Sequence, residues 1–158
     1  MTKLFNKVIL FLLLPTILFS CRIEDDIDIA NKVDITQINV TRFPELNGSK
    51  QWDTYMAEAE PDIFLRVSTW EGVIYESGLI QNATFYNQNV FTLADPIRID
   101  NLYDDVTFEL FDYDFLEDVY MAGAVVNFNR YAKGQESPIL FRMGDFEFVL
   151  DLEWLKNL

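Results

Sequence analysis

The 158-residue chain contains no histidine. Without an imidazole there is no Ser–His–Asp or Cys–His arrangement for nucleophilic catalysis, and histidine-containing zinc sites are excluded as well. A carboxylate pair suited to glycoside hydrolysis is left open, because separation in space rather than along the chain defines such a pair. No other catalytic pattern is present, so we expect a non-catalytic protein.

Basic residues are also scarce, with 12 Lys and Arg against 26 Asp and Glu, for a formal net charge of −14. A surface this negative repels phosphates, and no basic stripe interleaved with aromatic residues is present. Nucleic acid is therefore not an expected partner.

Cysteine occurs once, at Cys21, so no disulfide can form within the chain. Residues 1–20 resemble a bacterial lipoprotein signal peptide, with Lys3 and Lys7 ahead of an apolar run that is too short to span a membrane. Leu18, Ser20 and Cys21 match the residues that precede and form the lipidation site in that family. The resemblance implies that Cys21 carries a lipid anchor after residues 1–20 are removed.

An acidic run, from Glu24 to Asp26 and again at Asp28, follows the cysteine. It resembles the export signal that sends lipoproteins of the Bacteroidetes to the cell exterior; alternatively it is a solvated tether, and both interpretations can hold together. We assign residues 21–32 to a lipidated acidic tether. The expected location is the cell envelope, lipid-anchored to the outer membrane, with either a periplasmic or a surface-exposed domain.

Glycine and proline are few, 6 and 5 respectively, and no linker rich in either divides residues 33–158. This length suits one domain with a substantial core. Half of the chain is hydrophobic, and the apolar positions alternate rather than recur at helical spacing. The pattern predicts an all-β fold, an antiparallel sandwich of about eight strands.

Several strands can be placed individually. Residues 33–42 form a strand whose inward positions slip at Thr36 and Gln37, as at a β-bulge, and residues 146–154 form the most regular strand. Residues 73–76 are expected to pair with a strand at residues 63–67. Two weaker strands are predicted at residues 89–93 and 97–100, with Pro96 at the start of the second.

Three aspartates follow the strand that ends near residue 110, at Asp112, Asp114 and Asp118. Calcium takes about six to eight oxygen ligands, and carboxylates two residues apart on a strand share a face. This loop is therefore predicted to bind calcium. The alternative is structural, because aspartate is a common turn residue that hydrogen-bonds to its own backbone.

These residues resemble the C2 domain, a calcium-dependent membrane-binding β-sandwich, over about residues 33–155. In that family an earlier loop supplies two further aspartates, and the resemblance assigns these roles to Asp53 and Asp62. The later loop matches through its Asp-x-Asp pair, Asp112 and Asp114, and through Asp118. The resemblance implies a set of five metal ligands divided between two loops.

Apolar side chains flank both loops. In C2 domains such residues enter the lipid interface beside the ion, and here they would be Trp52, Tyr55 and Met56 in the first loop and Phe115 and Leu116, with Tyr120, in the second. The resemblance thus implies contact with anionic lipid headgroups or with a protein or glycan surface. Trp52, Phe115 and Tyr120 have the alternative of folding back onto the core.

Two other functions remain open. In a glycan-binding module calcium would be at most structural, and the exposed aromatic candidates would be Trp70, Tyr75 or Tyr86. In a protein-interaction sandwich the aspartates would bind nothing.

Overall fold

The computed structural model describes residues 29–52, 60–114 and 117–156. Its eight strands and one short 3-10 helix follow in chain order: β1 (Lys32–Arg42), β2 (Ile63–Thr69), β3 (Gly72–Glu76), β4 (Asn89–Ile99), β5 (Asp105–Asp112), β6 (Val119–Asn127), the helix (Phe128–Arg130), β7 (Ile139–Met143) and β8 (Phe146–Leu155).

The strands form two four-stranded antiparallel sheets, in the orders β4-β1-β8-β7 and β3-β2-β5-β6. Along β5 and most of β8, alternate residues are buried between the sheets, as the period of two requires. This confirms the predicted all-β antiparallel sandwich of about eight strands.

The β1 bulge is where the sequence predicts it. Val33 and Ile35 are buried, the pairing with both neighbours shifts between Ile35 and Gln37, and burial resumes at Ile38. The extra residue returns the following side chains to the inner face. One bulge therefore lets an 11-residue strand keep its apolar side chains in the core.

The core is rich in phenylalanine and joins the two sheets. Phe148 of β8 is 1% exposed, and its ring lies 5.1 Å from that of Phe108 in β5. Phe141 and Phe146 pack on the same ring from its own sheet. The alternation of β8 therefore places its buried phenylalanines at the centre of the sandwich.

The prediction of two strands around Pro96 is wrong, because β4 continues from Asn89 to Ile99. Proline cannot donate a ladder hydrogen bond, and β4 accommodates it in two ways. The strand lies at the edge of its sheet, and its register with β1 jumps from Thr92 to Ile97, so Pro96 lies in the irregular part of the ladder.

Loops from both sheets meet at each end of the sandwich. The connections β1–β2, β3–β4, β5–β6 and β7–β8 lie at one end, where the Ala83 amide donates to the Pro61 carbonyl and the Asn89 side chain donates to the Val40 carbonyl. We call this the Asp112 end. The opposite end carries the β2–β3, β4–β5 and β6–β7 connections, and we call it the Trp70 end.

Candidate functional site

The predicted acidic loops emerge side by side at the Asp112 end. Ile63, the first residue of β2, pairs with Asp112, the last residue of β5, and Asp112 pairs on its other side with Val119, the first residue of β6. One step beyond this rung, the Tyr113 amide donates to the Asp62 carbonyl at 2.7 Å. The sheet register thus places the segments bearing Asp62, Asp112 and Asp114, and Asp118 next to one another.

These carboxylates differ in their exposure. Asp112 is 0% exposed, because it continues the inward set of Val106, Phe108 and Leu110 along β5. Asp114 is partly buried and Asp118 is exposed. The acidic surface therefore runs from the rim of the core outward to solvent.

Asp62 is partly buried, and its side chain already has a structural role. Its Oδ1 accepts a hydrogen bond of 2.8 Å from the Asn82 amide in the β3–β4 connection. Asn82 has a left-handed backbone with φ of 51°, a conformation that asparagine tolerates better than most residues. The Asp62 side chain thus links two loops that are 20 residues apart in sequence, which differs from the local backbone contact considered for the aspartates.

The β3–β4 connection is a part of this end that sequence reasoning missed. Ile63 and Ile80 form an isolated antiparallel bridge, with amide-to-carbonyl distances of 2.9 and 2.8 Å. The connection therefore packs beside the two acidic segments. Asn82 could have been noticed as a turn residue, but no local pattern indicates which loop it would meet.

The donor set fits a hard cation in chemistry, because carboxylate oxygens are the ligands that calcium prefers. Among residues 29–52, 60–114 and 117–156, however, no three acidic side chains converge as a ligand cluster. Asp53, the remaining expected ligand, lies outside the described residues. The backbone thus brings the predicted ligand segments together, while their role in binding metal remains a prediction.

The expected contact of Trp52 at the loop tip is corrected by the structure. Trp52 is 8% exposed, and its Nε1 donates to the Pro44 carbonyl at 2.8 Å. An indole that buries its rings and satisfies its N–H in this way is a core residue. Of the other expected tip residues, Tyr55, Met56, Phe115 and Leu116 lie outside the described residues.

Two tyrosines at this end, unlike Trp52, are exposed to solvent. Tyr113 is 49% exposed and Tyr120 is 54% exposed, one on each side of the β5–β6 connection. The centroids of the Tyr120 and Phe111 rings lie 5.8 Å apart in an edge-to-face arrangement, which packs the Tyr120 ring against the outer face of the sheet. The end therefore combines carboxylates with amphipathic aromatic side chains.

Comparison with solved structures settles the architecture. A structure described as that of a C2 domain matches with a TM-score of 0.51 and 10% identity, over 77% of this chain and 94% of the other. The chain has a C2-like fold. Human GIVD cytosolic phospholipase A2, solved in complex with methyl gamma-linolenyl fluorophosphonate inhibitor and terbium chloride, matches with a TM-score of 0.50 and 9% identity over 81% of this chain.

The second match is partial, because the C2-like chain corresponds to only 18% of the phospholipase chain. No protein-family model and no curated protein matches the sequence. At this level of identity the neighbours establish the fold alone.

The three aromatic residues considered for glycan binding lie in different places. Trp70 is 76% exposed at the Trp70 end, whereas Tyr86 is 70% exposed at the Asp112 end, with the Arg42 guanidinium 6.0 Å from its ring centroid. Tyr75 packs against the core, and this burial raises the pKa of its hydroxyl above the usual value of 10.0. These residues therefore do not form one aromatic surface.

Across the part of the chain that the structure covers, no helix has the length and apolar character needed to cross a membrane.

Proposed function

We propose that this chain is a non-catalytic, C2-like calcium-binding module, anchored through Cys21 to the outer membrane of a bacterial cell envelope, that contacts lipid or a partner surface through its Asp112 end. One observation supports this above the others. The sheet register brings the predicted ligand segments together at the Ile63–Asp112–Val119 rung.

The carboxylates of this end have distinct roles in the proposal. Asp112 would supply oxygens from the last position of β5 and Asp62 from the position just before β2, while Asp114, Asp118 and Asp53 would complete the set from the connecting segments. Carboxylates gathered around one ion would repel one another in its absence, so the binding arrangement of these loops would depend on calcium. Bound calcium would supply the positive charge that offsets this repulsion and attracts an anionic oxygen from lipid or protein.

The exposed aromatic residues give the same end a second means of contact. Tyr113 and Tyr120 flank the carboxylates and are each about half exposed. Tyrosine is well suited to a water–lipid or water–protein boundary, because its ring is apolar and its hydroxyl is polar. Calcium would thus provide charge attraction, and the tyrosines would provide apolar contact.

The anchor joins the domain at the other end. β1 begins at Lys32, at the Trp70 end, 11 residues after Cys21. Eleven residues span at most about 36–40 Å, and a strand of the length of β1 is itself about 36 Å long. The Asp112 end therefore lies at the far end of the domain from β1's first residue, and it would reach the anchoring lipid only with the tether nearly fully extended, which favours contact with another surface.

Thermal unfolding of the full chain in detergent, first in chelator and then in rising calcium, tests the calcium site. For an affinity of about 0.1 to 1 mM, typical of extracellular modules, about 10 mM calcium should raise the free energy of unfolding by about 1.4 to 2.7 kcal/mol. We expect a saturable rise in Tm with calcium and no matching rise with magnesium. The double variant Asp112→Asn, Asp114→Asn should lose the response.

Asp95→Asn is the matched control, because Asp95 is an exposed aspartate on β4 outside the candidate site. It should keep the full calcium response. A flat titration of the wild-type chain, or an equal loss in both variants, would reject calcium binding at this end. If the response is present, calcium-dependent co-sedimentation with anionic vesicles decides between lipid and another surface as the partner.

A further inference from the structure

The Trp70 end carries a groove that the proposed calcium module does not use. Its volume is about 690 Å³, within the range of about 300–1,000 Å³ common for small-molecule sites. It lies between the two sheets' edges, where the β2–β3 hairpin faces the end of β4 and the β4–β5 connection. The polar and aromatic side chains that line it include Trp70, Glu71, Arg98, Asp100, Asn101 and Asp104.

Trp70 is held in place although it is exposed. Its Nε1 donates to Asp104 Oδ2 at 3.3 Å, across 34 residues of sequence. The other oxygen of Asp104 accepts from Asn101 Nδ2 at 2.9 Å, and Asn101 Oδ1 accepts from the Tyr103 amide at 3.2 Å. A chain of hydrogen bonds from the β4–β5 connection thus fixes the indole while leaving 76% of the residue open to solvent.

The opposite wall of the groove is also ordered by polar contacts. Arg98 donates from Nε and Nη2 to the two oxygens of Asp34 at 2.8 and 2.7 Å, which uses two of its five N–H donors. Asp100 accepts from Lys32 Nζ at 2.6 Å. The groove therefore has hydrogen-bonding groups at fixed positions facing an aromatic side chain, an arrangement that limits the ordering cost of binding.

The lining chemistry selects among ligand classes. Glu71, Asp100 and Asp104 outweigh Arg98 in charge, so phosphates, nucleotides and acidic sugars are disfavoured. Cages for quaternary ammonium groups are built from several rings, and Trp70 is the sole aromatic side chain among the described residues that line the groove. A neutral sugar ring suits a groove with a net negative lining and a single aromatic ring. Its C–H face packs on an indole, while its hydroxyls bond to carboxylates, amides and guanidinium groups.

We propose that this groove binds a neutral oligosaccharide, with one sugar ring packed on Trp70 and its hydroxyls hydrogen-bonded to the acidic and amide side chains opposite. Asp104 is a positioning residue in this site, because it holds the indole N–H. The site is separate from the Asp112 end and does not require calcium.

Affinity electrophoresis of the full chain in detergent and chelator tests this proposal. The native gels would contain, one at a time, soluble starch, mannan, xylan, laminarin or hydroxyethyl cellulose, with heparin and polygalacturonate as charged comparisons. We expect at least one neutral polysaccharide to retard the chain, with Trp70→Ala weakening binding about tenfold or more and Trp70→Phe less. Asp104→Ala, which removes the acceptor of the indole N–H, should give a smaller loss.

Tyr86→Ala is the control, because it removes an aromatic ring of similar exposure from the opposite end. It should bind like the wild-type chain, and unchanged thermal unfolding would show that each variant is folded. Absence of retardation by all the neutral polysaccharides, retardation by the charged ones alone, or equal retardation of Trp70→Ala would each overturn the proposal. Because chelator is present throughout, these outcomes are independent of the calcium titration.

Discussion

Phe148 joins the two sheets, and its replacement by alanine tests how the core is held together. The side chain is 1% exposed, and its ring lies 5.1 Å from Phe108, 5.3 Å from Phe141 and 5.0 Å from Phe146. Truncating a buried phenylalanine to alanine costs about 3–5 kcal/mol, a range that already includes the contacts of its ring. Because this ring packs against three others, Phe148→Ala should lie in the upper part of that range, at about 4–5 kcal/mol.

Leucine at the same position separates the effect of volume from that of the ring. Phe148→Leu keeps an apolar side chain against the other three rings, and we expect it to lose about 1–2 kcal/mol. Tyr103→Ala removes a ring that is 74% exposed and should change stability by no more than about 0.5 kcal/mol. Equilibrium unfolding in urea, followed in parallel by fluorescence and circular dichroism, gives the three free energies.

The outcome for Phe148→Ala bears on the whole fold, because single domains have only about 5–15 kcal/mol of stability. A loss below about 1.5 kcal/mol, at an unchanged dependence on urea, would refute the reasoning. It would mean that the sheets are held together elsewhere. A loss as large in Tyr103→Ala as in Phe148→Ala would be equally damaging.

Two further predictions concern the ion pair of β1 and a close contact in β6. The hydrogen bond from Arg98 holds the pKa of Asp34 below its ordinary value of 3.8, so the stability that this carboxylate contributes is present above about pH 3.8 and is lost as pH falls through the lowered pKa. Asp34→Asn should therefore be less stable than wild type at pH 7, and the difference should shrink in unfolding measurements at acid pH; a constant difference would contradict this. A Cβ at Gly123 would lie 2.7 Å from the Tyr120 hydroxyl and 3.1 Å from the Phe108 carbonyl, so Gly123→Ala should cost about 1–3 kcal/mol in urea unfolding. Adding Tyr120→Ala should recover part of that loss, whereas strictly additive effects would show that the hydroxyl is not the obstacle.

The strands could be predicted where a strand has one buried face. β8 alternates buried and less buried residues along most of its length, so its period of two is visible in the sequence. The sequence predicts two strands where β4 is one, because proline is uncommon inside strands, and the property that allows Pro96 is the edge position of β4. That position depends on the other strands and is not encoded locally.

The candidate site could likewise be predicted from the sequence only in part. Asp112 and Asp114 could be singled out because their spacing is local, whereas the hydrogen bond between Asp62 and Asn82 depends on how two loops pack. The position of Trp52 is likewise not encoded locally. An aromatic residue beside a loop suits either a surface tip or a core position, and the choice was decided by its hydrogen bond to Pro44.

The order β4-β1-β8-β7 places the last strand of the domain in the middle of its sheet, directly against the first. Until β8 has been synthesised, β1 has an open edge and β7 has no partner in the described sheet. Pairing strands that are more than 100 residues apart in sequence is entropically slow, and unpaired edges promote aggregation meanwhile. The sheet can therefore be completed only after β8 has been synthesised. Chaperone protection would be most valuable immediately before residues 146–155 become available.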